Sequence, residues 1–489
     1  MHRLESFRGP FADSYAAAVA LVVCALVPFL MLTAAIFPLE SEVAKGVGLS
    51  RGTLELTIAM SDAAYAFGTV LAVQFAQHRP PRRMLLLYVS AFVVASLLGA
   101  TTTSGPVFIA ALVVEGLCTS LMLIAAVPPL VIGWPTERMP VTGGIMNVCI
   151  FGAVAAGPTL GAYAGSSGDW RGVFWAVAAI GCLALALAVL TFEDQEPLDR
   201  SAPWDVIAVA GAGAGCAAAF FGAGELEVRG TVSALTLAPL VGGIAVVALL
   251  DVHQYRLEEP LVPVRQLATT LPVVGILVAI CASGAAFGLT ALVLTALQGR
   301  SSPIHIALLF VPEIVTAVAA AGIFGLLFRS RRLTFLPPVG LVLLIAASAL
   351  LVGVAHAGSA RIAVANGLIG FGLGAAVSPA LFVAGFSLRS AQIQRVFALI
   401  ELLRGVSAFL FAPILAFIAA TVAARRAAGL TDAVWACLTA AALGLAVASA
   451  LWVLGGARLQ DPDLEQWNEE GEPAWESPPL LARVRETEY

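Results

Sequence analysis

The chain has 489 residues, 60% of them hydrophobic and 12% charged, with a mean hydropathy of +0.95 and a formal net charge of −5. A soluble globule carries about 25% charged residues, so this composition excludes one and makes lipid the solvent. The apolar runs last about 18 to 27 residues, far beyond the ten-residue alternation of barrel strands, so helices must satisfy the backbone and the class is all-α, polytopic.

Fourteen membrane segments are predicted, at roughly 14–38, 55–76, 84–102, 106–133, 140–163, 171–192, 204–222, 232–250, 271–297, 305–328, 333–355, 361–386, 397–423 and 432–455. The first outlasts a signal-peptide core and is expected to remain as an uncleaved span. An even number puts both termini on one side. Loops on that side carry Arg79, Arg82, Arg83, Arg256, Arg265, Arg329, Arg331, Arg332, Arg389 and Arg395, about twice the basic residues of the opposite loops, which predicts cytoplasmic termini. Trp134, Trp170, Trp204 and Trp452 fall at segment ends, as interfacial aromatics should.

Seven cysteines lie within apolar segments without a CxxC pair, and five histidines are scattered, so neither disulfides nor a metal site is indicated and no cofactor is expected. The negative charge comes largely from the segment after Gly456, which has nine Asp or Glu, three Arg and four Pro. It is expected to be a disordered cytoplasmic tail, and the charge gives no reason to expect a nucleic-acid partner.

Within the fifth segment, GAVAAGPTLGAYAGSSGDWR (152–171) sets Ala153, Gly157, Gly161 and Gly165 four residues apart. On a helix these small residues share one face, letting another backbone approach, while Pro158 interrupts the hydrogen-bond ladder. A bent contact helix is predicted over Gly152 to Arg171.

The two ends of the chain repeat at an offset of about 251 residues: Gly116 matches Gly367, Leu117 matches Leu368, Ala125 matches Ala376 and Pro128 matches Pro379. Gly157-Pro158-Thr159-Leu160-Gly161 is echoed by Ala412-Pro413-Ile414-Leu415-Ala416, and HRPPRR (78–83) by RSRR (329–332). Segments 1–6 therefore pair with segments 9–14 as parallel repeats, leaving segments 7 and 8 as an inserted hairpin. The predicted domains are residues 1–192, a six-helix bundle; 193–265, the inserted helices and linkers; 266–455, a second six-helix bundle; and 456–489, the tail.

With this layout, GAVAAGPTLGAY followed by DWR resembles the antiporter motif of the fourteen-helix drug:proton antiporters of the major facilitator superfamily. LLRGVSAF around Arg404, the Glu137-Arg138-x-Pro140 turn and EEPLVPV (258–264) are similar to that family too. The resemblance covers all fourteen segments and implies two six-helix bundles plus two inserted helices, working by alternating access. His78 stands where the family places an Asp, Pro81 where it has Gly, Phe29 at its usual acid of segment 1, and Leu112 at its usual Arg of segment 4. The family's habitual proton-coupling positions are thus partly vacant.

Ionisable residues at depth are costly unless they face protein or water, so Asp62, Glu115, Glu313, Glu401 and Arg404 are the candidates for proton coupling or substrate binding. Asp62 and Glu313 are separated by the repeat offset and are expected at corresponding positions about 10 Å from the outer surface. There they could share or exchange protons, or be separately bonded structural groups. Glu115, about 14 Å deep, is expected to line the central cavity, with a carbonyl-bonded structural role as the alternative. Glu401 and Arg404, three residues apart, are expected to form a self-neutralised pair, with coupling as the second reading. Gly152, Gly157, Pro158, Gly161 and Gly165 are expected to form a smooth surface on which two rocking bundles slide, simple packing being the plainer reading. His78, Arg79, Arg82 and Arg83 are read as topology determinants that can also latch a cytoplasmic gate.

The leading functional expectation is a proton-coupled exporter of hydrophobic or amphipathic small molecules. Its partners are then the substrate, protons and membrane lipids, and its place the plasma membrane, in a bacterium the inner one. A dedicated metabolite, lipid or peptide exporter without proton coupling is the second reading. A non-transporting sensor or scaffold, its tail recruiting an adaptor, is the third. The sequence shows no phosphate-binding loop, HExxH or nucleophile elbow, so an enzyme is not expected.

Overall fold

A computed structural model describes residues 9–193, 197, 203–423 and 429–483. Among these residues fourteen helical spans are long and apolar enough to cross a membrane. In chain order they are α1 (Tyr15–Val47), α2 (Arg51–His78), α3 (Pro81–Thr101), α4 (Gly105–Ile132), α5 (Thr136–Ser167), α6 (Trp170–Thr191) and α7 (Val206–Arg229). Then follow α8 (Ala234–Arg256), α9 (Thr270–Leu297), α10 (Pro303–Leu327), α11 (Arg331–Leu351), α12 (Ser359–Phe386), α13 (Ser390–Ala419) and α14 (Gly429–Gly455). Phe11 N–H donates to Leu190 O at 2.9 Å, so the described N-terminus lies at the end of α6, on what we call the terminal side.

Helix α1 shows how local sequence shapes a span. Ser14 caps its start through the Ala17 N–H at 3.3 Å. Pro38 then tightens the far end into a 3₁₀ turn (Phe37–Leu39) before a last helical stretch, Glu40–Val47. Gly48 closes that stretch in the left-handed conformation, φ 71°.

The repeat is visible in packing. In the first half, a Cβ at Gly116 of α4 would collide with Ser61 of α2, and the Ser61 hydroxyl donates to Leu112 O at 2.8 Å. In the second half, Gly370 of α12 lies as tightly against the Glu313 carbonyl of α10, and the Thr316 hydroxyl donates to Gly367 O at 2.7 Å. The α2–α4 and α10–α12 crossings are thus built alike, from small residues and one hydroxyl bond. The inserted α7 and α8 pack on each other, and α7 lies against both α2 and α13, covering the seam between the halves on that flank. On the opposite flank α5 packs directly on α10.

The expectation of a disordered tail is overturned for residues 456–483. Trp467 and Trp475 are buried, at 0% and 1% exposure, and both rings lie against Phe386 at the end of α12. The Trp467 indole donates to Leu388 O at 2.9 Å, Ala474 N–H to Phe386 O at 2.8 Å, and Thr270 N–H to Pro478 O at 3.0 Å. Two aromatic side chains gave the segment enough apolar surface to offset its ordering entropy, which net charge alone does not reveal. Residues 484–489 lie outside the described residues.

Candidate functional site

A cavity of about 540 Å³ lies between the halves, lined by the far ends of α1, α2, α7, α9, α13 and α14 and by the middle of α5. It opens on the side away from the termini. On the terminal side the halves are closed. The Gln394 amide of α13 donates to Ile124 O of α4 at 3.0 Å, and the Asn147 amide of α5 donates to Gly374 O of α12 at 3.0 Å. Gly143 of α5 meets the ring of Phe328, which packs with Phe324, Phe382 and Phe386 in one aromatic cluster.

Asp62 lines the cavity, is 8% exposed, and its buried Oδ1 has no hydrogen-bond partner among the described residues. Glu313 is set back from the space. It is 2% exposed and accepts a hydrogen bond from Thr290 of α9 at 3.3 Å, and it is Thr290 that lines the cavity. The expected correspondence in sequence is therefore not matched by a correspondence in surroundings, and the two carboxylates belong to different halves.

Glu115 does not line this cavity, contrary to expectation. Gly116 takes the face of α4 that meets α2, so the neighbouring Glu115 is turned toward Ser96 of α3. It is fully buried inside the first half.

Beneath the cavity, toward the terminal side, Arg404 forms the pair expected of it. Its Nε lies 3.1 and 3.0 Å from the Glu401 carboxylate oxygens, and Nη2 lies 2.5 Å from Oε2. Both side chains are buried, at 2% and 6% exposure. The pair also joins the halves. Tyr65 of α2 donates to Glu401 Oε2 at 3.4 Å, and the Arg404 guanidinium sits over the Phe151 ring of α5, 5.9 Å from its centroid. Tyr65 in turn stacks on Phe29 at 6.0 Å and meets Phe409 edge-on at 5.9 Å, and Phe409 lines the cavity. Phe409 and Tyr65 thus connect the cavity wall to the buried ion pair. Sequence reasoning missed Tyr65, Asn147 and Gln394, since a lone polar residue in a helix carries no local mark of a partner hundreds of positions away.

In α5 a π-helical turn, Val148–Gly152, precedes Pro158 and divides the span into Met139–Asn147 and Ala153–Ser167. Such a turn re-aims the two parts of a helix and accounts for the interruption together with the proline. The glycine face meets α1 of its own half. A Cβ on Gly157 would collide with Ala34, one on Gly161 with the Ala35 carbonyl, and one on Gly165 would come to 3.3 Å from Leu39. Gly152 meets only Val148 of its own helix, at 3.3 Å. The expected sliding surface between halves is therefore elsewhere on α5: Gly143, Gly144, Asn147 and Thr159 make the contacts to α10 and α12.

His78 faces the inserted helices. Its ring stacks on Trp204 at 4.7 Å, and Gln74, which lies 3.2 Å from His78 Nδ1, accepts the Asp205 N–H at 3.0 Å. Arg79 and Arg83 are exposed and Arg82 is half-buried at the start of α3.

Two helical halves around a cavity that opens on one side and is closed on the other define a membrane transporter. The chain belongs to the Major Facilitator Superfamily, whose family model matches residues 21–413. It is an integral, multi-pass membrane protein, and the family points to a transporter and not to an enzyme.

Among curated proteins it is 26% identical over 277 residues to the uncharacterized MFS-type transporter YubD of Bacillus subtilis (strain 168), covering 53% of this chain and 51% of that one. It is 31% identical over 175 residues to a chloramphenicol resistance protein of Streptomyces lividans, covering 35% and 43%. The matches thus span about half the length of these relatives or less. The fold is similar to that of the human organic anion transporter MFSD10 (TETRAN), with a TM-score of 0.63, 14% identity, and 89% of this chain and 99% of that one covered. It is similar also to a mutant peptide transporter POT in complex with alafosfalin, with a TM-score of 0.61, 16% identity, and 90% and 95% covered.

Proposed function

We propose that this transporter exports hydrophobic or amphipathic small molecules in exchange for protons, by alternating access, as a fourteen-helix antiporter of the plasma membrane with cytoplasmic termini. The carrying observation is Asp62, which lines the cavity between the halves and whose buried Oδ1 has no hydrogen-bond partner among the described residues. Such a group can hold either a proton or a polar cargo group but not both, which is what exchange requires. The basic loops support cytoplasmic termini, and the cavity would then face the exterior, the state in which cargo leaves and a proton replaces it. The chloramphenicol resistance relative supports export as the direction.

In this reading Glu401 and Arg404 stabilise the closed terminal side, because Tyr65 and Phe151 reach the pair from the other half. Rocking must detach those contacts while the pair itself stays neutralised. Glu313 is a second proton site set behind Thr290. The test is efflux of a lipophilic dye from proteoliposomes with and without an imposed pH gradient. The gradient should accelerate export by the native protein and leave Asp62→Asn unaffected. Equal rates in native protein with and without the gradient would exclude proton exchange.

A further inference from the structure

The two inserted helices have no counterpart in the repeat, yet one of them reaches the cavity. Glu227, in the last turn of α7, lines it together with Glu40, Arg51, Glu55 and Asp62. The end of α7 is pressed onto the start of α2, where a Cβ on Gly52 would come to 2.7 Å from Val228. Arg51 is already engaged, 2.9 Å from Glu40 and 2.9 Å from Glu55. Its guanidinium is therefore poorly placed to receive an anion. The titratable lining thus contains four carboxylates against one guanidinium. Eleven residues further along α2, about 16 Å by helical rise, Asp62 offers a nine-tenths buried carboxylate whose Oδ1 has no partner among the described residues. Phe37, Phe287 and Phe409 supply aromatic walls around the same space.

We propose that the inserted hairpin is part of the transport path, and that Glu227, with Glu40 and Glu55 around Arg51, makes the outer vestibule a charge filter favouring positively charged amphipathic cargo. Acidic groups on low-dielectric walls focus the field and raise the local concentration of cations, and aromatic faces hold an organic ammonium without asking it to shed charge. Glu227 is thereby a specificity-determining residue supplied by a helix outside the two repeats. The inference rests on the cavity being the cargo path, as proposed above.

The test compares one fluorescent dye carrying a trimethylammonium arm with the same dye carrying a tert-butyl arm of equal shape, or a carboxylate arm. Binding is measured at equilibrium on the full-length detergent-solubilised protein, and export separately in proteoliposomes. Native protein should bind the ammonium dye in preference to the other two. Glu227→Gln should lower that preference roughly three- to tenfold, and the loss should shrink at high salt. Glu227→Asp should retain most of it, and Glu225→Gln, on the same turn but outside the lining, should change nothing. Equal binding of the three dyes, or a preference indifferent to Glu227→Gln in protein that elutes as native, overturns the proposal. Failure of export with the binding preference intact would instead overturn the export reading and leave the filter standing.

Discussion

Asp62 and Glu313 stand at equivalent points of the two halves, 251 residues apart, yet they are different kinds of site. Each keeps one buried oxygen without a partner among the described residues, but Asp62 faces the cavity, whereas Glu313 accepts a bond from Thr290 on its other oxygen and leaves Thr290 to face the space. The backbone around them is alike, with small residues of α4 or α12 crossing α2 or α10 and one hydroxyl bonding across. A duplicated fold therefore fixes where a carboxylate enters the bundle. Which way it faces depends on the neighbouring helix, and α9 supplies a threonine that takes Glu313 out of the cavity. The halves differ as well in the ion pair Glu401–Arg404, which belongs to the second half and meets the first through Tyr65 and Phe151.

The strongest way to break this comparison is to remove one partner of that pair. Arg404→Leu leaves Glu401 buried and uncompensated, at a cost of about 3–5 kcal/mol, while the double variant with Glu401→Gln should recover much of the loss. Thermal unfolding in detergent reads both. Gly161→Leu should cost about 1–3 kcal/mol, because the side chain would enter the Ala35 backbone of α1, whereas Gly152→Ala, facing only Val148, should be nearly neutral. The same unfolding measurement separates them and would sharpen the finding that the glycine face serves its own half.

The direct contrast of the two acids is kinetic. If export is exchanged for protons as proposed, Asp62→Asn should lower it about tenfold, near 1.4 kcal/mol, and Glu313→Gln by less than about threefold. A reversed order in a dye-efflux assay would show that the acid set back from the cavity is the coupling one. The smallest effect is expected at Gln394→Ala, which removes the bond to Ile124 O. A loss of about 0.6 kcal/mol from the closed terminal side should show as faster alkylation of a reporter cysteine placed there.

Much of the architecture was legible because the bilayer leaves few alternatives. Runs of about 20 apolar residues must be helices, and Gly116 with Gly367 or Pro128 with Pro379 betrays a repeat without reference to any contact. The Glu401–Arg404 pair was legible as an expectation, since residues three apart on one helix are neighbours on its surface. The site was legible only as a set of residues. Glu115 turns toward α3 because Gly116 takes the α2 crossing, a rotation that no single helix records.

The tail marks the same boundary from the other direction. Its acidity and prolines argued for disorder, but Trp467 and Trp475 found Phe386 and the ends of α9 and α12. The sequence by itself determined the solvent, the helices, their number and the duplication, because those follow from local hydropathy and from identities at a fixed offset. Only the tertiary structure decided that Asp62 faces the cavity, that Glu227 joins it from an inserted helix, and that the glycines of α5 hold α1. Those outcomes depend on helix rotation and on partners hundreds of residues away, and close packing leaves each side chain one place to go.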